Sequence, residues 1–381
     1  MNRGICIERA NEAQHCQRIA QEEYLIKSME PTATWNGNGA TMINPLEETG
    51  WDALLATHPG SSFFHSSVWA RVLNDTYGHR PFYFCKVADG KLEGLLPIME
   101  VSSRLTGTRG ISLPFTDFCS PLSVTQAPWW DPYSLAIREG QSRGWRYLEC
   151  RSRDGQWPGA SASLSFYGHV ILLDHGSERL FKELKGPVRT GIRKAQGANL
   201  RIEIAADLEA MLGFYSLHCL TRKRHGLPPQ PFRFFENIFR HVLARGHGVV
   251  VSAFCGAKRI AAAVFFNHRR EAIFKFGASD YSFQRLRPNN LVMWEAIRHY
   301  AANGLTSLHL GRTSLGNAGL RRFKRGFGAN EELIEYYKYD LRKHSFVCGF
   351  DYSEGPAGRI FKWLGLPALR MSGRLLYPHL G

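Results

Sequence analysis

The sequence predicts an α+β protein in which one architecture, a mixed sheet flanked by helices, is used twice in tandem. Three observations predict it. Residues 134–152 (SLAIREGQSRGWRYLECRS) and 294–313 (WEAIRHYAANGLTSLHLGRT) share Ala-Ile-Arg, then a glycine (Gly144, Gly304) and a leucine (Leu148, Leu308) in matching register, then an arginine and a small hydroxyl residue. VADGKLEGLLPI (87–98) and AFCGAKRIAAAVFF (253–266) both read as a strand, a Gly-containing turn with a basic residue, and an apolar strand. The order of hairpin, helix, glycine and strand is therefore found in both halves. The offset is 160 residues, from Ala136 to Ala296, which suits a whole domain rather than a solenoid repeat.

Along the chain, residues 1–41 show no sustained periodicity and WNGNGA (35–40) reads as loop, so a flexible N-terminal extension is expected. A first domain is expected over 42–175. Asn44 and Pro45 lead into a helix, and FFHSSVWARVLNDTYG (63–78) reads as a second, capped by Ser66 or Ser67. PFYFCKVADG, KLEGLLPIMEVS and GISLPFTDFCSPL read as strands or strand-loop units, and SFYGHVILLD (165–174) as a strand. A second domain is expected over 176–345. Its basic helical segment (179–205) breaks near Gly186-Pro187. Amphipathic helices follow over 207–226, ending at Gly226, and over 231–246. Strands at 249–255, 259–267 and 271–277, a polar loop, a helix over 289–303 and a strand over 306–311 complete it. Residues 346–381 form a basic amphipathic tail, read either as a solvated terminal helix or as an interfacial membrane contact.

Composition narrows the function. The chain has 381 residues, is 44% hydrophobic and 21% charged, and buries an ordinary globular core. Its net charge of +15 favours negatively charged partners: nucleic acid, coenzyme phosphates, pyrophosphate-linked sugars or an anionic membrane surface. The eight cysteines are scattered singly, which argues against a zinc site and against a disulfide framework. No signal peptide and no apolar run of membrane-spanning length is visible, so a cytoplasmic location is the expectation.

Several segments carry a resemblance: FFHSSVWARVL (63–73), RTGIRKAQ (189–196), TRKRHGLP (221–228), FGASDYSFQRLRPNNLVMWEAI (276–297), LHLGRTS (308–314) and GLRRFKRGFGA (319–329). In this order they resemble the FemAB-like family of tandem GNAT-fold transferases, which includes peptidoglycan bridge-forming aminoacyltransferases and relatives near polysaccharide export loci. The resemblance implies two GNAT-like domains. It implies transfer of an acyl or aminoacyl group to an amine of a cell-envelope or polysaccharide precursor. The co-substrate would be acyl-CoA or aminoacyl-tRNA, with no bound cofactor and no metal. The location would be cytoplasmic, with a peripheral contact at the inner face of the membrane as an option. Two other classes stay open: a non-catalytic GNAT-fold component of a polysaccharide export system, and a basic nucleic-acid-binding protein.

The candidate residues follow from the same segments. Gln284 to Asn290 stands where a GNAT domain wraps a pyrophosphate, with Arg285 and Arg287 bringing charge and Asn289 or Asn290 capping the next helix. Arg287 and Asn289 occupy positions where small residues are usual, and a plain loop is the alternative. The corresponding first-half segment, APWWDPYS, has no basic residue, so only the second half is expected to hold a donor. Phe323-Lys324 resembles a Phe-Lys pair of the aminoacyltransferases, which implies oxyanion stabilisation by Lys324 and a donor contact by Phe323. Asp117, in an apolar setting, is expected to have a raised pKa and to take or orient the amine proton; a turn residue is the alternative. Glu295, Asp280 and His225 are further base candidates. Lys275 and Arg312 end strands facing the same cleft on the donor side. Trp69, Arg193, Lys194, Lys223 and Arg224 are assigned to acceptor binding, against core packing for Trp69 and solvated faces for the cations.

Overall fold

The computed structural model describes residues 39–123, 131–153, 157, 159–349 and 358–380. The expected N-terminal extension lies outside them up to residue 38, and residues 39–41 belong to the first strand. The first half contains β1 (Gly39–Ile43), α1 (Trp51–Leu55), α2 (Ser67–Tyr77), β2 (Arg80–Ala88), β3 (Lys91–Val101), β4 (Arg109–Ile111), β5 (Leu122–Ser123), α3 (Pro132–Ser142), β6 (Tyr147–Arg153) and β7 (Leu164–Leu172). The second contains α4 (Ser177–Glu183), α5 (Gly186–Gly197), β8 (Arg201–Ala205), α6 (Leu208–His225), α7 (Phe232–His241), β9 (Gly248–Cys255), β10 (Lys258–His268), β11 (Glu271–Ser279), α8 (Pro288–Ala302), β12 (Ser307–His309), β13 (Thr313–Ser314), α9 (Ala318–Gly326), β14 (Asn330–Asp340) and β15 (Ser345–Phe346). Two tail helices follow, α10 (Gly358–Trp363) and α11 (Leu366–Leu376).

The repeat is visible in the sheet. Its strand order is β1-β2-β3-β4-β6-β14-β7-β12-β11-β10-β9-β8, so the two halves mirror each other about the β14–β7 pair. In each half a hairpin precedes a strand that pairs in parallel with the strand after the crossover helix: β4 with β6, and β11 with β12. The last strands are exchanged. β7 follows β6 in sequence but pairs with β12, and β14 follows β12 but pairs with β6. A division at residue 175 therefore separates the chain in sequence, not in space. Hydrophobic periodicity cannot reveal the exchange, because a strand buries the same faces in either sheet half.

Local chemistry sets the helix ends. Ser66 caps α2 by accepting from the Trp69 N–H at 3.3 Å, and Gly78, at φ 73°, closes the helix in the left-handed conformation that glycine adopts without steric cost. Asp207 caps α6, which ends at Gly226. Residues of α1 and α2 share a continuous core with those of α6 and α7. Trp69 is fully buried at its centre, against Phe63, Phe64, Phe234 and Phe266. The two halves are thus joined by both sheet and core. The tail is part of this body: Leu369 is buried, the Tyr377 hydroxyl meets Arg222, and the His379 carbonyl accepts from Arg109 in the first half. Among the described residues no helix is long and apolar enough to cross a membrane.

Candidate active site

β11 and β12 pair over only three residues, Glu271–Ser307 to Ile273–His309, and β11 then runs on alone on that side to Ser279. The sheet splits where the pairing stops. Between Val264 and Phe265 the β10–β11 register shifts, which leaves Lys275 as the extra residue of a bulge. A bulge re-aims one side chain. Lys275 enters the split, its side chain 5% exposed, with its ammonium 5.3 Å from the Phe64 ring centroid and 5.9 Å from that of Trp69.

The first half answers by departing from its own repeat. The strand that continues to Ser279 in the second half stops at Ile111 in the first. Leu113 and Phe115 then adopt left-handed backbone (φ 57° and 60°), an unfavourable conformation for bulky side chains that clusters at functional sites. The Thr116 hydroxyl donates to the Leu113 carbonyl, and Tyr336 of the exchanged strand β14 donates to the Asp117 carbonyl at 2.8 Å. This loop carries Asp117 across to the second half. Its carboxylate lies 3.5 Å from the Lys275 ammonium and 4.0 Å from the Arg312 guanidinium.

Lys324, on α9, is 3% exposed and donates to the carbonyls of Gly311 (2.9 Å) and Arg312 (2.8 Å). An ammonium has three N–H groups, so one remains beyond these two carbonyls. Burial, together with repulsion from Arg312, lowers its pKa to about 8, although Asp117 opposes this. Burial alone would raise the pKa of Asp117, but Lys275, Arg312, Lys324 and His309 outweigh it and hold the carboxyl below its usual range. The expected raised pKa is thereby corrected: the apolar neighbourhood predicted it, and the three cations reverse it. Burial also lowers the pKa of Lys275, against the pull of Asp117.

Two residues of the setting had no clear sequence signal. His309 accepts from the Gly311 N–H at Nδ1, so its Nε2–H donates to Glu332, fixing the turn whose carbonyls hold Lys324. Tyr336 arrives through strand exchange. The Leu-His-Leu-Gly-Arg run at 308–312 was the available pointer to His309.

The segment expected to hold the donor, Gln284 to Asn290, turns directly into α8. Arg287 stands at φ 60°, the left-handed conformation a glycine would take, and Pro288 opens α8. Neither asparagine caps the helix: Asn289 donates to the Ser279 hydroxyl and the Asn290 side chain packs on Gly191, because proline already occupies the first helical position. Arg285 and Arg287 are exposed beside this helix N-terminus. Phe323 is half-buried and packs edge-on to Phe327. APWWDPYS lies outside the described residues as far as residue 130; Asp131 caps α3.

Other candidates fall elsewhere. Trp69 cannot line an acceptor wall, because its side chain is wholly buried, packed by aromatic rings and reached by the Lys275 ammonium. Arg193 and Lys194 are exposed on α5, and Arg193 faces a separate basic cleft of about 560 Å³ with Lys182, Arg189 and Arg298. Lys223 is half-buried at the end of α6, and Arg224 lies over the Tyr281 ring, just before the 284–290 segment. Asp280 is tied to Lys258 and the Ser282 N–H, Glu295 to Arg298, and His225 to Arg224, so none of these three meets the Asp117 cluster. A cleft of about 1050 Å³ lies between α6, the start of α7 and α11. Among the described residues there is no group of three or more His, Cys, Asp or Glu side chains that could hold a metal ion.

Comparison with known proteins agrees with this architecture. Residues 183–325 match the family described as Acetyltransferase (GNAT) domain. No curated protein matches the chain by sequence. The crystal structure of FemX is similar over 80% of this chain and 98% of its own, at 14% identity and a TM-score of 0.62. The structure of L-PGS from Bacillus licheniformis is similar over 85% of this chain and 95% of its own, at 12% identity and a TM-score of 0.51. A tandem GNAT protein from the clavulanic acid biosynthesis pathway is similar over 80% of this chain and 99% of its own, at 9% identity and a TM-score of 0.50. Residues 183–325 therefore match a GNAT acetyltransferase domain, and most of the chain shares its fold with FemX and with a tandem GNAT protein.

Proposed function

We propose that the protein is an N-acyltransferase that moves an acyl or aminoacyl group from an activated donor to an amine of a cell-envelope or polysaccharide precursor. The observation that carries this reading is the meeting of Asp117, from the first half, with Lys275, Arg312 and Lys324, from the second, at the split between β11 and β12. In direct transfer the amine nitrogen attacks the donor carbonyl, negative charge grows on its oxygen, and the thiolate or ribose oxygen then departs. The remaining N–H of Lys324, in the field of Lys275 and Arg312, suits that oxygen. The Asp117 carboxylate suits the amine: it accepts and orients the N–H, and the proton that the nitrogen sheds passes by way of it to the departing thiolate or ribose oxygen. The N-terminus of α8 with Arg285 and Arg287 suits donor phosphates, and Phe323 a donor contact. Lys223 and Arg224 extend the cationic rim toward the acceptor.

Both donor classes carry phosphates, so the deciding experiment offers both. Purified protein is melted with acyl-CoA or with aminoacyl-tRNA, and transfer of a labelled acyl group to an amino-sugar or peptide amine is followed. Stabilisation by one donor and transfer that Lys324→Ala abolishes support the reading. Failure of both donors to bind, or transfer that survives Lys324→Ala, overturns it.

A further inference from the structure

The tail helix α11 wears its faces the wrong way round for a solvated surface helix. Its inner face is formed by Leu369, Gly373 and then Tyr377, spaced four residues apart and all buried. Gly373 lies so close to the Pro229 carbonyl that an added Cβ would sit 1.9 Å from that oxygen. At about 100° per residue, Met371 and Leu375 lie roughly 200° and 240° around the helix from Leu369. They point away from the body and are 63% and 64% exposed. A helix at a protein–water boundary normally turns polar side chains outward.

Further apolar side chains are exposed on α10 and α6, and arginines lie among them. Trp363, at the end of α10, is 90% exposed, and Leu212 and Leu220 on α6 are 45% and 42% exposed. Leu212 and Met371 line one cleft together with Arg233, Arg370 and Arg374. Residues 358–380 hold four Lys or Arg side chains and no Asp or Glu. The helix is also held firmly. The Tyr377 hydroxyl meets Arg222 at 2.8 Å, and just beyond α11 His379 bonds to Ser103 through its ring and to Arg109 through its carbonyl.

We infer that α10 and α11 form a docking face for an anionic lipid bilayer, with Trp363, Met371 and Leu375 entering the interface and Arg370 and Arg374 meeting lipid phosphates. Apolar residues facing outward, flanked by arginines and with no acidic residue on α10 or α11, are what an interfacial helix requires; Glu209 of α6, which also lines the cleft, is outnumbered there by Arg233, Arg259, Arg370 and Arg374. Charge complementarity selects the bilayer over a neutral apolar partner. The inference stands on the tail alone and does not depend on the transfer chemistry.

The test is flotation of the full chain with vesicles of neutral phosphatidylcholine, or of phosphatidylcholine with phosphatidylglycerol. The expected result is binding to the anionic vesicles that weakens with salt. Met371→Glu/Leu375→Glu should abolish it, and Arg370→Gln/Arg374→Gln should lower it by roughly five-fold per arginine. All four side chains are exposed, and an unchanged melting midpoint shows that each variant folds. Three results would overturn the inference: no binding to anionic vesicles at low salt, equal binding by the Met371→Glu/Leu375→Glu variant, or a variant that loses self-association while vesicle binding stays intact.

Discussion

Replacing Lys324 by methionine separates chemistry from stability. The side chain keeps its length and apolar stem, and loses its charge and its three N–H groups. In the folded protein the lysine pKa falls from 10.5 to about 8, so at roughly 1.4 kcal/mol per pH unit the buried cation costs about 3 kcal/mol at neutral pH. Lys324→Met removes that cost. It also leaves the Gly311 and Arg312 carbonyls without this donor, at about 1–3 kcal/mol each. The two effects oppose each other, so the melting midpoint should move little. Catalysis has no such offset: losing one oxyanion donor lowers turnover by about 10²–10³-fold. The assay is single-turnover transfer at pH 7 beside a thermal melt. Linkage adds a control. Between pH 8 and 10.5 the unfolded lysine stays protonated while the folded one loses its proton, so wild-type stability gains a rising component across that window. The variant should lack it. Turnover within about three-fold of wild type, or a loss fully explained by unfolding, would refute the role given to Lys324.

Three further outcomes follow from named contacts. Asp117→Asn leaves Lys275 buried without its counter-charge, which should cost about 3–5 kcal/mol in urea unfolding; adding Lys275→Met should recover most of this, and strict additivity of the two losses would show that the pair is not coupled. Calculated on the free-amine form of the acceptor, kcat/KM should fall as pH rises through about 8, where Lys324 loses its proton, and should hold on the acid side until below the usual carboxylate range, because Asp117 is held ionised; a corrected profile that keeps rising past pH 9 would contradict this. Gly373→Ala drives a Cβ into the Pro229 carbonyl, a backbone atom, and should release α11 at a cost of about 1–3 kcal/mol; faster tryptic cleavage at Arg370 and Arg374 would report it, and an unchanged cleavage rate would count against the docked tail.

Much of the architecture was legible in the sequence because the repeat recurs in hydrophobic pattern and turn chemistry. The pairs Ala136/Ala296 and Gly144/Gly304 mark the same helix-turn-strand joint, and the element order fits the mirrored sheet. The exchange of β7 and β14 was not legible, since pairing partners leave no local trace in a strand. For the candidate site, Asp117, Lys275, Arg312 and Lys324 could each be named from their segments. Their convergence could not be foreseen, because it depends on a bulge at Lys275 and on β4 stopping at Ile111. Trp69 was misassigned for a related reason: a tryptophan on an amphipathic helix reads alike whether its ring lines a pocket or lies under a second helix pair. The sign of the Asp117 shift was hidden too, because an apolar local sequence says nothing of three cations arriving from distant segments.

The most direct test of the central claim, that chemistry occurs at the seam between the halves, is a crystal structure with a non-reactive acyl donor analogue. The expected result is the analogue's carbonyl oxygen within hydrogen-bond distance of Lys324 Nζ, in the split between β11 and β12, with Asp117 on the open side. An analogue seated instead in the cleft between α6 and α11, or in the basic cleft beside α5, would contradict it.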